Sequence, residues 1–139
     1  MWDRHVERPG FRPAVAIADD GGLAGFVYGY TGAAGQWWTD RAAEVLLPDV
    51  AQEWLGGHLE VVSIAVALEH RGNGIGRRLL ERFLTGAEHR RGVLMTTADP
   101  ADPAHRLYRQ TGWEILGTGL REGTVIMGRR LDENGSKYR

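Results

Sequence analysis

The sequence predicts one mixed domain of the α/β (α+β) type, and three observations predict it. Short apolar runs rich in β-branched and aromatic residues, at 14–18, 23–30, 59–67, 93–97 and 125–131, read as strands. Elsewhere the apolar spacing changes to three and four residues, at Ile75, Leu79, Leu80, Phe83 and Leu84 and again at Ala104, Leu107, Tyr108 and Thr111, which marks helical faces. The order, strands first and then helix alternating with strand, implies a mixed sheet with helices packed on it. A chain of 139 residues is expected to form a single domain over 1–139, with 1–13 a lead-in and 132–139 a flexible tail.

Each element has its own local reason. AVAIA (Ala14 to Ala18) and LAGFVYGY (Leu23 to Tyr30) flank Asp19-Asp20-Gly21-Gly22, a strong turn signal, so the pair reads as a hairpin. The two-residue period puts Gly25 and Gly29 on one face of its second strand and Phe26, Tyr28 and Tyr30 on the other. Thr31 to Trp38 reads as a loop whose two tryptophans, Trp37 and Trp38, either line a pocket or anchor a core. Thr39 or Asp40 can cap a short helix to Leu47, Pro48 breaks it, and Asp49 can cap a further turn or two through Trp54. Farther on, Asp102-Pro103 supplies an N-cap with proline at the first helical position, and Gly112 supplies the stop. Trp113 to Leu116 and Val125 to Leu131 close the chain as a glycine-linked strand pair.

Composition narrows the chemistry. There are no cysteines, which excludes disulfides, thiolate metal sites and a cysteine nucleophile. Seventeen basic and eighteen acidic residues are spread along the chain for a net charge of -1, so nothing suggests nucleic acid or a membrane surface as partner. No apolar run approaches the roughly 20 residues of a membrane span, and MWDRHVERPG lacks the apolar core of a signal peptide. A cytoplasmic location and a small-molecule or peptide partner are the expectation.

The organising stretch is Leu59 to Phe83, in which a strand passes through RGNGIG (Arg71 to Gly76) into an amphipathic helix. Glycines let the backbone approach a ligand and adopt positive φ, and a helix start presents unpaired N–H groups with about half a positive charge. Such an end binds phosphate, and Arg71, Arg77 and Arg78 add cations around it. The alternative is a glycine-rich turn with no ligand. Gly72, Gly74 and Gly76 give G-x-G-x-G, which is not the G-x-G-x-x-G of dinucleotide sites. A Walker loop ends in Gly-Lys-Ser/Thr, and the single lysine here is Lys137.

What the stretch resembles is the acetyl-CoA signature of the GNAT superfamily of N-acetyltransferases, Q/R-x-x-G-x-G/A, matched by Arg71, Gly74 and Gly76. LYRQTGW (Leu107 to Trp113) resembles the family's L-Y-x-x-x-G-F/W pattern, and the order of elements resembles the GNAT fold from its second strand to its last. The resemblance implies a mostly antiparallel central sheet flanked by helices, and acetyl-CoA as the acyl donor. It implies that the backbone of Ile64, Ala65 and Val66 pairs with the pantetheine arm, and that Arg71, Gly72, Asn73, Gly74, Ile75, Gly76 and Arg77 surround the pyrophosphate. Glu60, eleven residues before Arg71, matches a strand glutamate used as base by some members, and His58 is a weaker candidate. Tyr108 matches the tyrosine that protonates the departing thiolate.

The bland readings are a solvated or arginine-paired glutamate and a tyrosine that merely anchors its helix. Two departures stand out. Many members carry an asparagine six residues before the leucine, where this chain has Ala101 beside Asp102. Members also open with one strand and two helices, whereas about 13 residues here precede the first clear strand, an N-terminal shortening that motivates a homodimer. The expected activity is acetyl transfer from acetyl-CoA to a primary amine by direct attack in a ternary complex. The alternative is a non-catalytic CoA-binding or protein-interaction module of the same fold.

Overall fold

The computed structural model describes residues 10–72 and 74–131. Six strands form one sheet: β1 (Arg12–Ile17), β2 (Leu23–Thr31), β3 (Leu59–Val66), β4 (Arg91–Thr97), β5 (Glu114–Thr118) and β6 (Thr124–Arg130), in the order β1-β2-β3-β4-β6-β5. Four helices flank it among the described residues: α1 (Trp37–Val45), α2 (Pro48–Trp54), α3 (Ile75–Leu84) and α4 (Pro103–Gln110). β1 with β2, β4 with β6 and β5 with β6 are antiparallel, whereas β3 runs parallel to β4 over two residues, Leu59 opposite Gly92 and Glu60 opposite Val93. The expected mixed, mostly antiparallel sheet with flanking helices is the observed fold. The described residues group into two compact units, those up to Thr31 with Val61–Glu88, and Gly32–Glu60 with those from His89 on.

In the first unit the hairpin turn forms as its residues dictate. Ala18 N–H donates to Gly22 O at 2.7 Å, Asp20 Oδ1 accepts from Gly22 N–H, and Gly21 takes φ +88°. β1 starts at Arg12 rather than at Ala14, so two residues read as lead-in belong to the strand. Arg12 has a structural role there: its Nη2 donates to the carbonyls of Phe83 and Thr85 at 2.7 and 3.1 Å, neutralising the negative C-terminal end of α3. α3 buries Leu79, Leu80 and Phe83 and leaves Arg77, Arg78, Glu81 and Arg82 exposed, as its periodicity predicts. Burial of such side chains stabilises by about 1.5–3 kcal/mol each. α3 comes this close because Gly25 has no side chain, since a Cβ there would lie 2.9 Å from Leu79 Cδ1 and 2.7 Å from Ala65 O.

The second unit packs α1 and α2 onto the β4–β6 face. Its core joins Ala42, Leu46, Trp54, Val93 and Ile126, with Trp38, Met95 and Leu116 around it. Gly128 and Gly117 make room, because Cβ atoms would sit 2.6 Å from the Trp54 ring and 2.7 Å from Leu46 Cδ2. Arg91 and Arg130 lie over the Trp54 ring at 5.6 and 4.9 Å, and Arg130 also pairs with Glu53.

Two local expectations need correction here. Trp37 and Trp38 open α1 instead of ending a loop; the N-cap is Gln36, and Asp40 serves the preceding turn by accepting from Gly35 N–H at 2.9 Å. Trp37 is exposed and Trp38 packs on the core. Pro48 begins α2 as its first residue rather than only ending α1. α4 begins as expected, with Asp102 Oδ1 accepting from Ala104 N–H at 2.9 Å. The tail at 132–139 lies outside the described residues.

Candidate functional site

β3 ends at Val66, Leu68–His70 make one 3₁₀ turn, and the chain then folds back into α3 through Arg71, Gly72 and Gly74. Gly72 and Gly74 have φ of +84° and +76°, values that side-chain-bearing residues adopt only with strain. A Cβ at Gly72 would meet nothing within 4 Å, so the turn's outer face is open. Gly74 is the N-cap of α3 and has no side chain to cap with, which leaves the N–H groups of Ile75, Gly76 and Arg77 without intrahelical partners. That combination fits a phosphate group: open backbone donors, the positive end of a ten-residue helix, and exposed Arg77 and Arg78 beside it. Arg71 is partly engaged within the protein, its Nε donating to Val66 O at 3.1 Å, which ties the turn to the end of β3. Asn73 lies outside the described residues. Ile64 and Val66 are half-buried and Ala65 is exposed, all three past the end of the two-residue β3–β4 ladder.

Glu60 and His58 lie two residues apart on β3 and its approach, so both face the same way while Leu59 between them points into the core. Both are buried, and His58 Nε2 stands 3.7 Å from Glu60 Oε1. His58 Nδ1 accepts from Gly56 N–H at 3.0 Å, which puts the ring proton on Nε2, toward Glu60. The ring fits only because residue 32 is glycine, since a Cβ there would lie 2.2 Å from its Cε1 and Nε2. Gly32 is held in turn by backbone bonds to His58 O and from Gly57 N–H, at 2.9 and 2.8 Å. Neither Nε2 nor Oε1 has a hydrogen-bond partner, an omission that typically costs about 1–3 kcal/mol per buried polar group.

Tyr108 is buried on α4 with its ring edge-on to Trp113, centroids 6.0 Å apart. Burial pushes its phenol up to about 12, with the negative charge of Asp102 acting in the same direction. The hydroxyl therefore keeps its proton at neutral pH. The inward face of α4 also carries His105, whose Nδ1 lies 2.7 Å from Thr97 O, an anchor for α4 that the apolar periodicity did not reveal because histidine is not counted as apolar. Among the sequence-predicted site residues, Arg71 meets Val66 in the first unit and His58 meets Glu60 in the second. No cluster of three or more histidine, aspartate or glutamate side chains able to hold a metal occurs among the described residues. No helix among them is long and apolar enough to cross a membrane.

A short parallel strand pair beside antiparallel neighbours, with a glycine turn leading from β3 into a helix, defines a mixed α/β fold. The chain belongs to the acetyltransferase (GNAT) family, whose profile matches residues 1–113. It is 26% identical to a GCN5-like protein acetyltransferase of Mycobacterium tuberculosis, over 94% of this chain and 80% of that protein. Among solved structures it resembles nourseothricin acetyltransferase, with 30% identity and a TM-score of 0.62 over 88% of this chain and 66% of that one. The spermidine/spermine N-acetyltransferase SpeG of Vibrio cholerae shares the fold at 19% identity and a TM-score of 0.64, over 99% of this chain and 77% of that one. The chain thus spans just under two thirds of the nourseothricin enzyme. Acetyl transfer is the general chemistry of the family, which generally uses acetyl-CoA.

Proposed function

We propose that the chain is a single GNAT domain that transfers an acetyl group from acetyl-CoA to a primary amine by direct attack in a ternary complex. The observation that carries this reading is the open turn at Gly72 and Gly74 leading into the uncapped start of α3. Acetyl-CoA would supply an acyl group on a thioester. Gly72, Gly74, Ile75, Gly76 and Arg77 would hold its pyrophosphate through backbone N–H groups, with Asn73 in the same signature, while Arg71 braces the turn against Val66. The backbone of Ile64, Ala65 and Val66 would pair with the extended arm as an added strand does, and an N–H there would stabilise the developing oxyanion. Glu60 would take the proton of the attacking amine, and Tyr108, whose phenol is protonated at neutral pH, would donate to the leaving thiolate.

The relatives set the acceptors to try: nourseothricin, spermidine and a peptide with a free primary amine. Thiol release from acetyl-CoA in the presence of each tests the activity. Glu60→Gln is expected to lower kcat by about 10² to 10⁴ with little change in the KM for acetyl-CoA. Tyr108→Phe, which keeps the ring, is expected to lower kcat by about 10- to 100-fold. Unchanged turnover in both variants would remove these two roles.

The hairpin also supports a homodimer. Val15, Ile17 and Leu23 are 60%, 61% and 56% exposed, and Val15 and Leu23 line an apolar cleft of about 510 Å³ with Phe26 and Tyr28. A second copy would cover it, and a monodisperse monomer in light scattering would rule that out.

A further inference from the structure

We infer that His58 is a positioning residue for Glu60: it fixes one carboxylate oxygen by its Nε2–H and leaves the other to the acceptor amine. The inference rests on the reading of Glu60 as the base. Four observations lead to it, and all concern residues of one unit.

The first is that His58 has no rotational freedom. Its ring is 1% exposed, it is pressed against Gly32 where a Cβ would overlap it, and Trp38 lies 6.5 Å away, centroid to centroid. The second is that its proton position is determined. With Nδ1 accepting from Gly56 N–H, the neutral ring has one donor left, Nε2–H. The third is what that donor faces. Glu60 Oε1 is 3.7 Å away, buried and without a hydrogen bond. The fourth is the distance itself. At 3.7 Å the pair is about half an ångström beyond a normal hydrogen bond, so a small rotation of the carboxylate closes the contact.

These features divide the labour between the two oxygens. In the proposed step the amine N–H bond breaks and its proton goes to Oε2, while Nε2–H donates to Oε1 and keeps its own proton throughout. His58 keeps its proton through the step and serves to orient the carboxylate that accepts the proton of the amine. A histidine that only filled space would equally satisfy Gly56, but its identity beyond volume would not matter to turnover.

That difference is the test, run with whichever of the three acceptors turns over. His58→Leu removes the donor and keeps an apolar filling, and is expected to lower kcat about 10- to 100-fold with the KM for acetyl-CoA within about twofold. His58→Gln, which restores an N–H toward Glu60, is expected to recover most of that loss. In the Glu60→Gln background His58→Leu should add less than about twofold, because the two residues act as one device. Equal losses in both His58 variants, or an undiminished His58→Leu effect without Glu60, would overturn the role.

If His58→Leu does not fold, nitrogen-15 NMR of histidine-labelled unmodified protein and of Glu60→Gln decides the contact. The inference expects an unprotonated Nδ1 and an Nε2 resonance that moves on Glu60→Gln. A proton on Nδ1, or an unmoved Nε2, contradicts it. Should Glu60→Gln leave turnover unchanged, the base reading fails instead, and the NMR result reports separately on the pair.

Discussion

The two units differ in where they carry their polar groups. The second unit buries Thr39, His58, Glu60, His105, Thr111 and Arg129, whereas the buried side chains with polar atoms in the first are the tyrosines Tyr28 and Tyr30. The first unit buries apolar groups such as Val27, Leu79, Leu80 and Phe83, and presents polar chemistry through backbone: two left-handed glycines and the free end of α3. A phosphorylated ligand is matched by donors already fixed in direction, which backbone N–H groups at a helix end provide. A surface meant to move protons needs titratable groups taken out of water, where their environment sets their protonation. If the proposed roles hold, substitutions in the first unit should act on acetyl-CoA affinity and those in the second on rate.

The largest expected effect sharpens the second unit's character. Tyr108 titrates near 12 in the folded protein against 10.0 for a free phenol. Below pH 10 the phenol is protonated folded or unfolded and contributes nothing to pH dependence. Between about 10 and 12 the unfolded chain releases a proton that the folded chain retains, so stability falls as pH rises, by about 3 kcal/mol in all. Denaturant unfolding of the unmodified protein and of Tyr108→Phe across that range measures the difference; parallel curves would show that burial does not hold the proton.

Next in size is Gly32→Ala. Its Cβ would overlap the His58 ring, and overpacking of this kind destabilises by about 1–3 kcal/mol. It should lower Tm and kcat together while leaving acetyl-CoA affinity within about twofold, since the phosphate turn belongs to the other unit. A loss of affinity comparable to the loss of rate would break the separation. The smallest effect is Arg71→Ala, which removes the brace on Val66 O and should weaken acetyl-CoA binding about tenfold, or about 1.4 kcal/mol, with no change in saturated turnover.

Legibility in the sequence follows the same division. Period-two and period-3.6 spacing locate the hairpin, β3, α3 and α4 within a residue or two, because burial on one face is what those patterns encode. Asp102-Pro103 announces α4 because its cap is made by adjacent residues. The start of α1 is not announced, since Gln36 caps without a side-chain bond and the helix is held by packing on Trp54 and Ile126 instead. Arg12 on the end of α3 and Gly32 beneath His58 join residues 71 and 26 positions apart, and nothing local marks either partner. The signature glycines are readable because a backbone site is written in the residues that form it. The His58–Glu60 contact is half-readable: the i,i+2 spacing puts both on one face, but only Gly32 and Gly56 determine which nitrogen points at the carboxylate.

Whether the turn before α3 holds acetyl-CoA is decided by calorimetric titration of acetyl-CoA into the purified chain, with Gly74→Glu beside it. Residue 74 has φ +76° and stands at the helix start, so glutamate there would strain the turn and set a negative charge against the pyrophosphate. Saturable binding to the unmodified chain is expected, with a loss of at least about 100-fold, or about 2.7 kcal/mol, in Gly74→Glu. Absent binding to the unmodified chain, or equal binding to both, would contradict it.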